Sequence, residues 1–328
     1  MPNQKRDNSI DFIKGVAILS VIFLHNTLAN KLFQIAWIGQ AVPLFLLVTA
    51  YLTYGSFENG KTVTTYYSYQ STGKMIKRIF IPFLIVTLFQ CVIYYLFSSH
   101  FSWYSVIRSG GIGPGSYYPW LYLQCWIILP FIIYVTDKIS IYKSILLFIG
   151  ISVVLELMSS VLSISPSIYR LLIFRYLFLI YLGCTVRKLN AKMNFKWIIL
   201  AVVGLLFAGY EIYLNADLRP WFYNQWKGYH WITASYAVFI FIFIRKIYNT
   251  IQYALSFLGK NSWEIFLCQM FVFSFFSKRF LSFIGNPYIE TITFILLTTI
   301  LSISPILIYK ICLKNLINIS PVSGNGGR

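Results

Sequence analysis

The chain has 328 residues, of which 58% are hydrophobic, 19% are aromatic and only 11% are charged. This composition predicts a polytopic membrane protein and leaves no room for a large soluble domain beside the spans. The net charge of +18 does not indicate nucleic-acid binding, because the basic residues lie in short connections between apolar runs, as they do in membrane proteins.

Apolar runs long enough to cross a bilayer recur along the chain and predict an all-α transmembrane bundle of about ten spans. Residues 1–314 are predicted to form this integral membrane domain. Residues 315–328 are predicted to be a disordered cytoplasmic tail, because Ser320–Arg328 is rich in glycine and contains a proline. The predicted spans are 9–29, 35–55, 79–97, 119–136, 144–163, 168–186, 197–214, 230–246, 262–282 and 288–312.

The distribution of lysine and arginine over the connections predicts the orientation of the spans. If the N-terminus is cytoplasmic, eighteen of these residues lie in cytoplasmic segments and six in outer segments. Both termini are therefore predicted to lie in the cytoplasm. Lys14 then lies toward the cytoplasmic leaflet and His25 toward the outer leaflet.

The first apolar stretch carries Asp11, Lys14 and His25, although ionisable residues inside a span need partners or a function. Lys14 and His25 are eleven residues apart, which puts them within about 20° on one helical face and about 16 Å apart along the axis. Asp11 lies one turn before Lys14 on a neighbouring line of this face. Asp11 and Lys14 are either interfacial charges or functional groups. His25 is interpreted as functional, because an ordinary imidazole titrates near neutral pH.

At these residues the chain resembles the acyltransferase-3 family of membrane acyltransferases, whose first helix carries an arginine, ten residues and a histidine. Here Lys14 replaces the arginine, and Asp11 and Gly15 also match. Further segments resemble family motifs in the family's order, with Gln269 standing where the family has a histidine: VPLFLLVTAYL (Val42–Leu52), KMIKRIFIP (Lys74–Pro82), SYYPWLYLQ (Ser116–Gln124) and LGKNSWEIFLCQ (Leu258–Gln269).

The resemblance implies a bacterial plasma-membrane enzyme that takes an acetyl group from cytoplasmic acetyl-CoA. The implied acceptor is a hydroxyl of a surface polysaccharide or of its lipid-linked precursor. His25 would remove the hydroxyl proton or become acylated itself, with Lys14 and Asp11 in the same catalytic set. No metal is expected, since the chain lacks His-Glu-x-x-His spacing, and it also lacks the Gly-x-Ser-x-Gly element of serine hydrolases.

The basic run Lys74, Lys77 and Arg78 closes the longest cytoplasmic connection, Ser56–Lys77. It either anchors the loop on anionic membrane lipids or binds the phosphates of the acyl donor. Arg175 lies in the middle of a predicted span and is assigned to donor binding. We interpret the run as a donor clamp, since the resemblance favours that role.

Acceptor recognition is assigned to residues near the aromatic segment that follows the glycine-rich outer connection. This segment is either an interfacial aromatic belt or a surface on which sugars stack. Among the other embedded charges, Glu156 is expected to bridge to Arg170 or Arg175, and Glu211 is expected to be solvated. The predicted acceptor residues are Tyr117, Tyr118, Trp120, Gln124, Glu264 and Gln269.

An alternative function is that of a glycan exporter or flippase that transfers no acyl group. Such a protein would use the aromatic mouths and the embedded charges to pass sugars across the membrane. Acetylation of an acceptor glycan distinguishes the enzyme from the exporter.

Overall fold

The computed structural model describes residues 7–25, 36, 38–97, 101–214, 218, 221, 229–248, 253–276, 281 and 283–319. Within these ranges the chain is helical and contains no strand. Six of the described helices are long and apolar enough to cross a membrane, which confirms the predicted helical membrane bundle. They are Ile38–Glu58, Tyr69–Phe97, Tyr118–Lys138, Ile141–Val161, Phe195–Tyr213 and Pro287–Lys310.

Each of the ten predicted spans contains a helix, but the helices in four of them, of 12 to 17 residues, are not among these six. The described α-helices are α1 Asn8–Leu24, α2 Ala41–Glu58, α3 Val63–Tyr66, α4 Tyr69–Met75, α5 Ile81–Phe97, α6 Trp103–Ser109, α7 Tyr118–Lys138, α8 Ile141–Val161, α9 Pro166–Tyr169, α10 Leu177–Lys188, α11 Phe195–Tyr213, α12 Ala234–Ile247, α13 Tyr253–Lys260, α14 Ser262–Phe275 and α15 Pro287–Ile319.

The third span begins earlier, and the last helix ends later, than the sequence predicted. A π-helical turn, Ile76–Phe80, joins α4 to α5, so the third span begins inside what was predicted to be a loop. The last helix, α15, continues to Ile319 and so includes the first residues of the predicted disordered tail. Residues 320–328 lie outside the described part of the chain.

The predicted span 168–186 is not one helix. The chain turns after α9, forms a short 3-10 helix at Phe174–Tyr176 and only then enters α10. Gln124 holds this break: its amide Nε2 donates to the carbonyl of Leu171 at 2.6 Å, and its Oε1 accepts from the backbone N–H of Ile173 at 3.1 Å. These bonds satisfy backbone groups that the interrupted helix leaves open. The break places the side chain of Arg175 inside the bundle, where it is 2% exposed.

Ion pairs tie several helix ends together at one end of the bundle, which we call the basic end. Arg187 Nε lies 2.7 Å from Glu58 Oε2, and Arg245 Nη2 lies 3.7 Å from Asp7 Oδ2. The hydroxyl of Tyr51 accepts hydrogen bonds from both arginines, at 3.2 Å and 2.7 Å. The start of α1 and the ends of α2, α10 and α12 therefore share the end that the charge distribution assigned to the cytoplasm.

The first helix packs against α13 at a contact that only glycine permits. A Cβ atom added to Gly259 would lie 1.6 Å from the carbonyl oxygen of Asp11, and one added to Gly15 would lie 1.9 Å from the carbonyl oxygen of Leu255. The two backbones therefore touch. Both glycines fall in segments that resemble family motifs, and the structure gives them a packing role.

Candidate functional site

A cavity of about 440 Å³ runs through the bundle, and we call it the central cavity. Its wall includes residues of α2 from Ala41, at the start of this helix, to Thr53, near the basic end. The twelve helical steps from Ala41 to Thr53 span about 18 Å. The central cavity therefore extends along most of the length of α2, from its first residue toward the basic end.

The predicted pair on the first helix lines this cavity. Lys14 and His25 both contribute to its wall, as their common helical face predicts. His25 follows the last residue of α1 as its C-cap, and its ring meets the ring of Phe273 edge-on with centroids 5.6 Å apart. Asp11 is 3% exposed and is not among the lining residues. The structure thus brings two of the three predicted catalytic residues to the cavity.

Only two of the three residues of the basic run line the central cavity. Lys74, in α4, and Arg78, in the π-helical turn, both line the central cavity. Lys77 lies between them in sequence, is exposed, and is outside the lining. Two of the three predicted phosphate ligands therefore face one cavity, and the third serves as an internal comparison.

Arg175 enters the central cavity among tyrosines. Its Cζ lies 4.6 Å from the ring centroid of Tyr176, a cation–π contact. Tyr117, Tyr118 and Tyr229 line the same cavity. Tyr117 and Tyr118, which were assigned to the acceptor, therefore line the same cavity as Arg175, which was assigned to the donor. Tyr229 was not predicted, because nothing in its sequence neighbourhood distinguishes it from an interfacial aromatic residue.

Two other predicted acceptor residues support the fold and do not line the cavity. Trp120 donates its Nε1–H to the carbonyl of Gly110 at 2.8 Å and packs edge-on against Phe80 and Phe83. The side-chain amide of Gln124 forms hydrogen bonds with the backbone at the break before Arg175. Their role is to hold the segments that carry Tyr117 and Arg175.

The late motif on α14 is also divided. Glu264 is exposed and outside the cavity lining. Gln269 is 0% exposed, and neither of its amide atoms has a hydrogen-bond partner among the described residues. It lies three residues after Phe266, which lines the cavity, and four before Phe273, which touches His25. This spacing puts Gln269 beside the cavity wall on neighbouring turns of one helix.

A buried acidic cluster, which the sequence did not predict, lies close to Arg175. His230 Nε2 is 3.1 Å from Glu211 Oε1, and His230 Nδ1 is 3.8 Å from Glu156 Oε1. The hydroxyl of Tyr169 donates to Glu156 Oε1 at 2.5 Å. The expectation that Glu211 is solvated is wrong, since this residue is 2% exposed.

A second cavity of about 10 Å³, lined by Arg175, Tyr229 and His230 among others, connects the acidic cluster to the wall of the central cavity. Its volume is about that of one water-sized probe. Arg170, the other partner expected for Glu156, donates its Nη2 to the carbonyl of Ser109 at 3.2 Å. The fold therefore brings acidic groups next to the buried Arg175 without exposing them to the cavity.

Comparison with known proteins gives one match. A family model described as an acyltransferase domain matches residues 7–309, a range that contains all the residues lining the central cavity. No curated protein and no solved structure matches the chain.

Proposed function

The chain belongs to the acyltransferase-3 family, and from this premise we propose that it transfers an acetyl group from cytoplasmic acetyl-CoA. The proposed acceptor is a hydroxyl of a surface polysaccharide or of its lipid-linked precursor, at a bacterial plasma membrane. The observation that carries this proposal is that Lys74, Arg78 and His25 line one central cavity, with His25 at the end of α1 that lies away from the basic end. We call the part of the cavity around Lys74 and Arg78 the donor end.

The donor end of the cavity suits a phosphate-bearing ligand. Lysine binds phosphate as a point charge and arginine as a bidentate fork, and Lys74 and Arg78 supply one of each. The cavity volume falls in the range of ligand pockets, about 300–1,000 Å³. A long, narrow donor bound by its phosphates at this end would present its acyl group farther along the cavity.

The opposite end carries the proposed base. His25 accepts the proton of the acceptor hydroxyl while the oxygen forms a bond to the thioester carbonyl carbon. The carbon–sulfur bond then breaks, and the imidazolium returns the proton to the leaving thiolate. The products are an ester and a free thiol, so protons and electrons balance within the site. The cations Lys14 and Arg175 line the same cavity and are suited to stabilise the negative charge on the carbonyl oxygen.

In this proposal, the acceptor enters the central cavity between three tyrosines of its wall. Tyr117, Tyr118 and Tyr229 offer flat faces and hydroxyl groups, a combination that suits sugar rings. Purified protein incubated with labelled acetyl-CoA and a lipid-linked glycan should produce labelled glycan. Translocation of the glycan across vesicles without acetylation would contradict the enzyme and support an exporter.

The proposed orientation predicts opposite accessibility for two exposed positions. Lys192 lies between α10 and α11, on the basic-end side, and Ser105 lies in α6 on the other side. A membrane-impermeant thiol reagent added to intact cells should label Ser105→Cys and leave Lys192→Cys unlabelled, as the charge distribution requires. Lysed cells should label both, and the unsubstituted chain serves as the control. Labelling of Lys192→Cys alone in intact cells would reverse the topology.

The donor end predicts unequal effects within the basic run. Replacing both Lys74 and Arg78 with alanine should weaken acetyl-CoA binding by roughly 10- to 100-fold, because charge-assisted hydrogen bonds to phosphate are lost. Lys77→Ala should bind the donor as the unsubstituted protein does, since Lys77 is outside the cavity lining. Calorimetric titration in detergent measures both. Equal losses in the two proteins would favour a general role of the run at anionic lipid surfaces.

A further inference from the structure

The connection between α2 and α4 does not extend away from the bundle. It folds back onto α7 through Tyr66, which is 4% exposed although its neighbours Thr65 and Tyr67 are exposed. The ring of Tyr66 stacks on the indole of Trp126 with centroids 5.2 Å apart and an interplanar angle of 22°. We call residues 61–68 the docked segment.

The hydroxyl of Tyr66 donates to a backbone carbonyl of α7 that has no hydrogen-bond donor within the helix. It donates to the carbonyl oxygen of Trp126 at 3.1 Å. Pro130 follows Trp126 by four residues inside α7 and has no N–H to donate to that carbonyl. The tyrosine hydroxyl therefore replaces the missing helical hydrogen bond. The adjacent hydroxyl of Tyr67 donates to the carbonyl of Ile127.

Regular structure on both sides makes this contact stiff. Thr62 and Thr65 form a capping box around α3, and Lys61 Nζ lies 4.8 Å from the ring centroid of Tyr66. Immediately after Tyr67, the hydroxyl of Ser68 accepts from the backbone N–H of Ser71 and caps α4. The docked segment therefore leads directly into α4, with no residue between them.

The position of α4 determines where the side chains of Lys74 and Arg78 lie. Lys74 is in α4 and Arg78 is in the π-helical turn that continues it without a break into α5. Both line the central cavity. A displacement of the start of α4 would therefore also move Lys74 and Arg78, because one continuous helical segment carries both. The groups around His25 belong to other helices and would stay in place.

We propose that Tyr66 is a positioning residue that holds Lys74 and Arg78 at the donor end of the central cavity. The inference rests on the proposed function, because it takes the phosphates of acetyl-CoA as the ligand of these cations. Tyr66 touches neither the donor nor the reacting atoms in this arrangement, and acts through the hydrogen bond and stacking contact with α7.

The test compares Tyr66→Phe with Tyr69→Phe, the same substitution three residues later at a side chain that is 93% exposed. Tyr66→Phe should raise the Kd for acetyl-CoA by about tenfold, the effect expected when one buried carbonyl loses its donor and the clamp shifts. The value of kcat at saturating donor should change less than about twofold, because His25 is on another helix. Tyr69→Phe should change neither quantity.

A double substitution separates positioning from stability. In Tyr66→Phe/Pro130→Ala, the new backbone N–H of residue 130 can donate to the Trp126 carbonyl, so thermal stability should return toward that of the unsubstituted protein. The Kd for acetyl-CoA should stay raised, since the hydrogen bond from residue 66 to α7 is still missing.

Recovery of donor affinity together with stability would overturn the positioning role, and so would a Tyr66→Phe protein that behaves like Tyr69→Phe. If the unsubstituted protein itself binds no acetyl-CoA, the proposed function fails and the inference falls with it. If it binds and transfers normally and only Tyr66→Phe lacks an effect, the inference alone fails.

Discussion

The His25→Ala protein is expected to lose acetyl transfer by about 10²- to 10⁴-fold in kcat, the usual contribution of a positioned general base. The imidazole is the proposed acceptor of the hydroxyl proton, and no other described histidine lines the central cavity. The affinity for acetyl-CoA should change little, because Lys74 and Arg78 bind the phosphates in the proposal. Stopped-flow or radiolabel assays at saturating donor and acceptor measure the loss.

A matched control distinguishes a base from a histidine that only packs. Phe273→Leu removes the edge-on ring contact of His25 but leaves the imidazole in place. This contact is worth about 0.5–1.5 kcal/mol, so the substitution should lower stability slightly and keep most of the activity. Equal losses of activity in Phe273→Leu and His25→Ala, or near-normal transfer by folded His25→Ala protein, would contradict the catalytic role.

For the first helix, helical periodicity predicted which side chains share a face, but not which of them line the cavity. An eleven-residue spacing fixes the angle between two side chains as soon as the segment is helical, so the common face of Lys14 and His25 could be predicted without knowing any neighbour. Asp11, predicted on a neighbouring line of this face, does not line the cavity. Whether a residue beside that face reaches a cavity depends on what packs against it, and here α13 lies against the backbone of Asp11 itself.

The broken span around Arg175 could not be predicted from hydropathy. The residues from Leu171 to Leu179 are apolar apart from Arg175 and read as uninterrupted helix. The signal that ends the helix is Gln124, whose two hydrogen bonds go to backbone groups nearly fifty residues away. A long-range side-chain bond of this kind leaves no local pattern, so the motif residue was interpreted as part of an acceptor site.

The acidic cluster illustrates the same limit for charges. Glu156, Glu211 and His230 stand in three separate segments, and the sequence pattern does not pair them with one another. Their pairing follows from helix packing, which brings all three within reach while excluding water. Two buried carboxylates require nearby positive charge, and Arg175 at the shared wall of the small cavity is suited to supply part of it. The charge of the cavity wall is therefore set partly by residues that the cavity does not expose.

The Gly259→Ala protein is expected to fold poorly, because a methyl group at this position meets backbone and not a movable side chain. The added Cβ would lie 1.6 Å from the carbonyl oxygen of Asp11 and 2.9 Å from the backbone nitrogen of Gly15. Rotamer changes cannot relieve a clash between two backbones, so α1 and α13 must separate. Overpacking of a core usually costs about 1–3 kcal/mol, and we expect this contact to reach or exceed the upper end.

Gly150→Ala in α8 provides the matched control, since no atom lies within 4 Å of the Cβ that it would add. Thermal unfolding in detergent, followed by the fraction that stays monodisperse, should show a large loss for Gly259→Ala and little change for Gly150→Ala. The residual folded Gly259→Ala protein should also transfer acetyl groups poorly, because α1 carries Lys14 and leads into His25, both on the cavity wall. Similar unfolding curves for the two alanine proteins would mean that α1 and α13 are not in backbone contact, and the position of α1 would have to be revised.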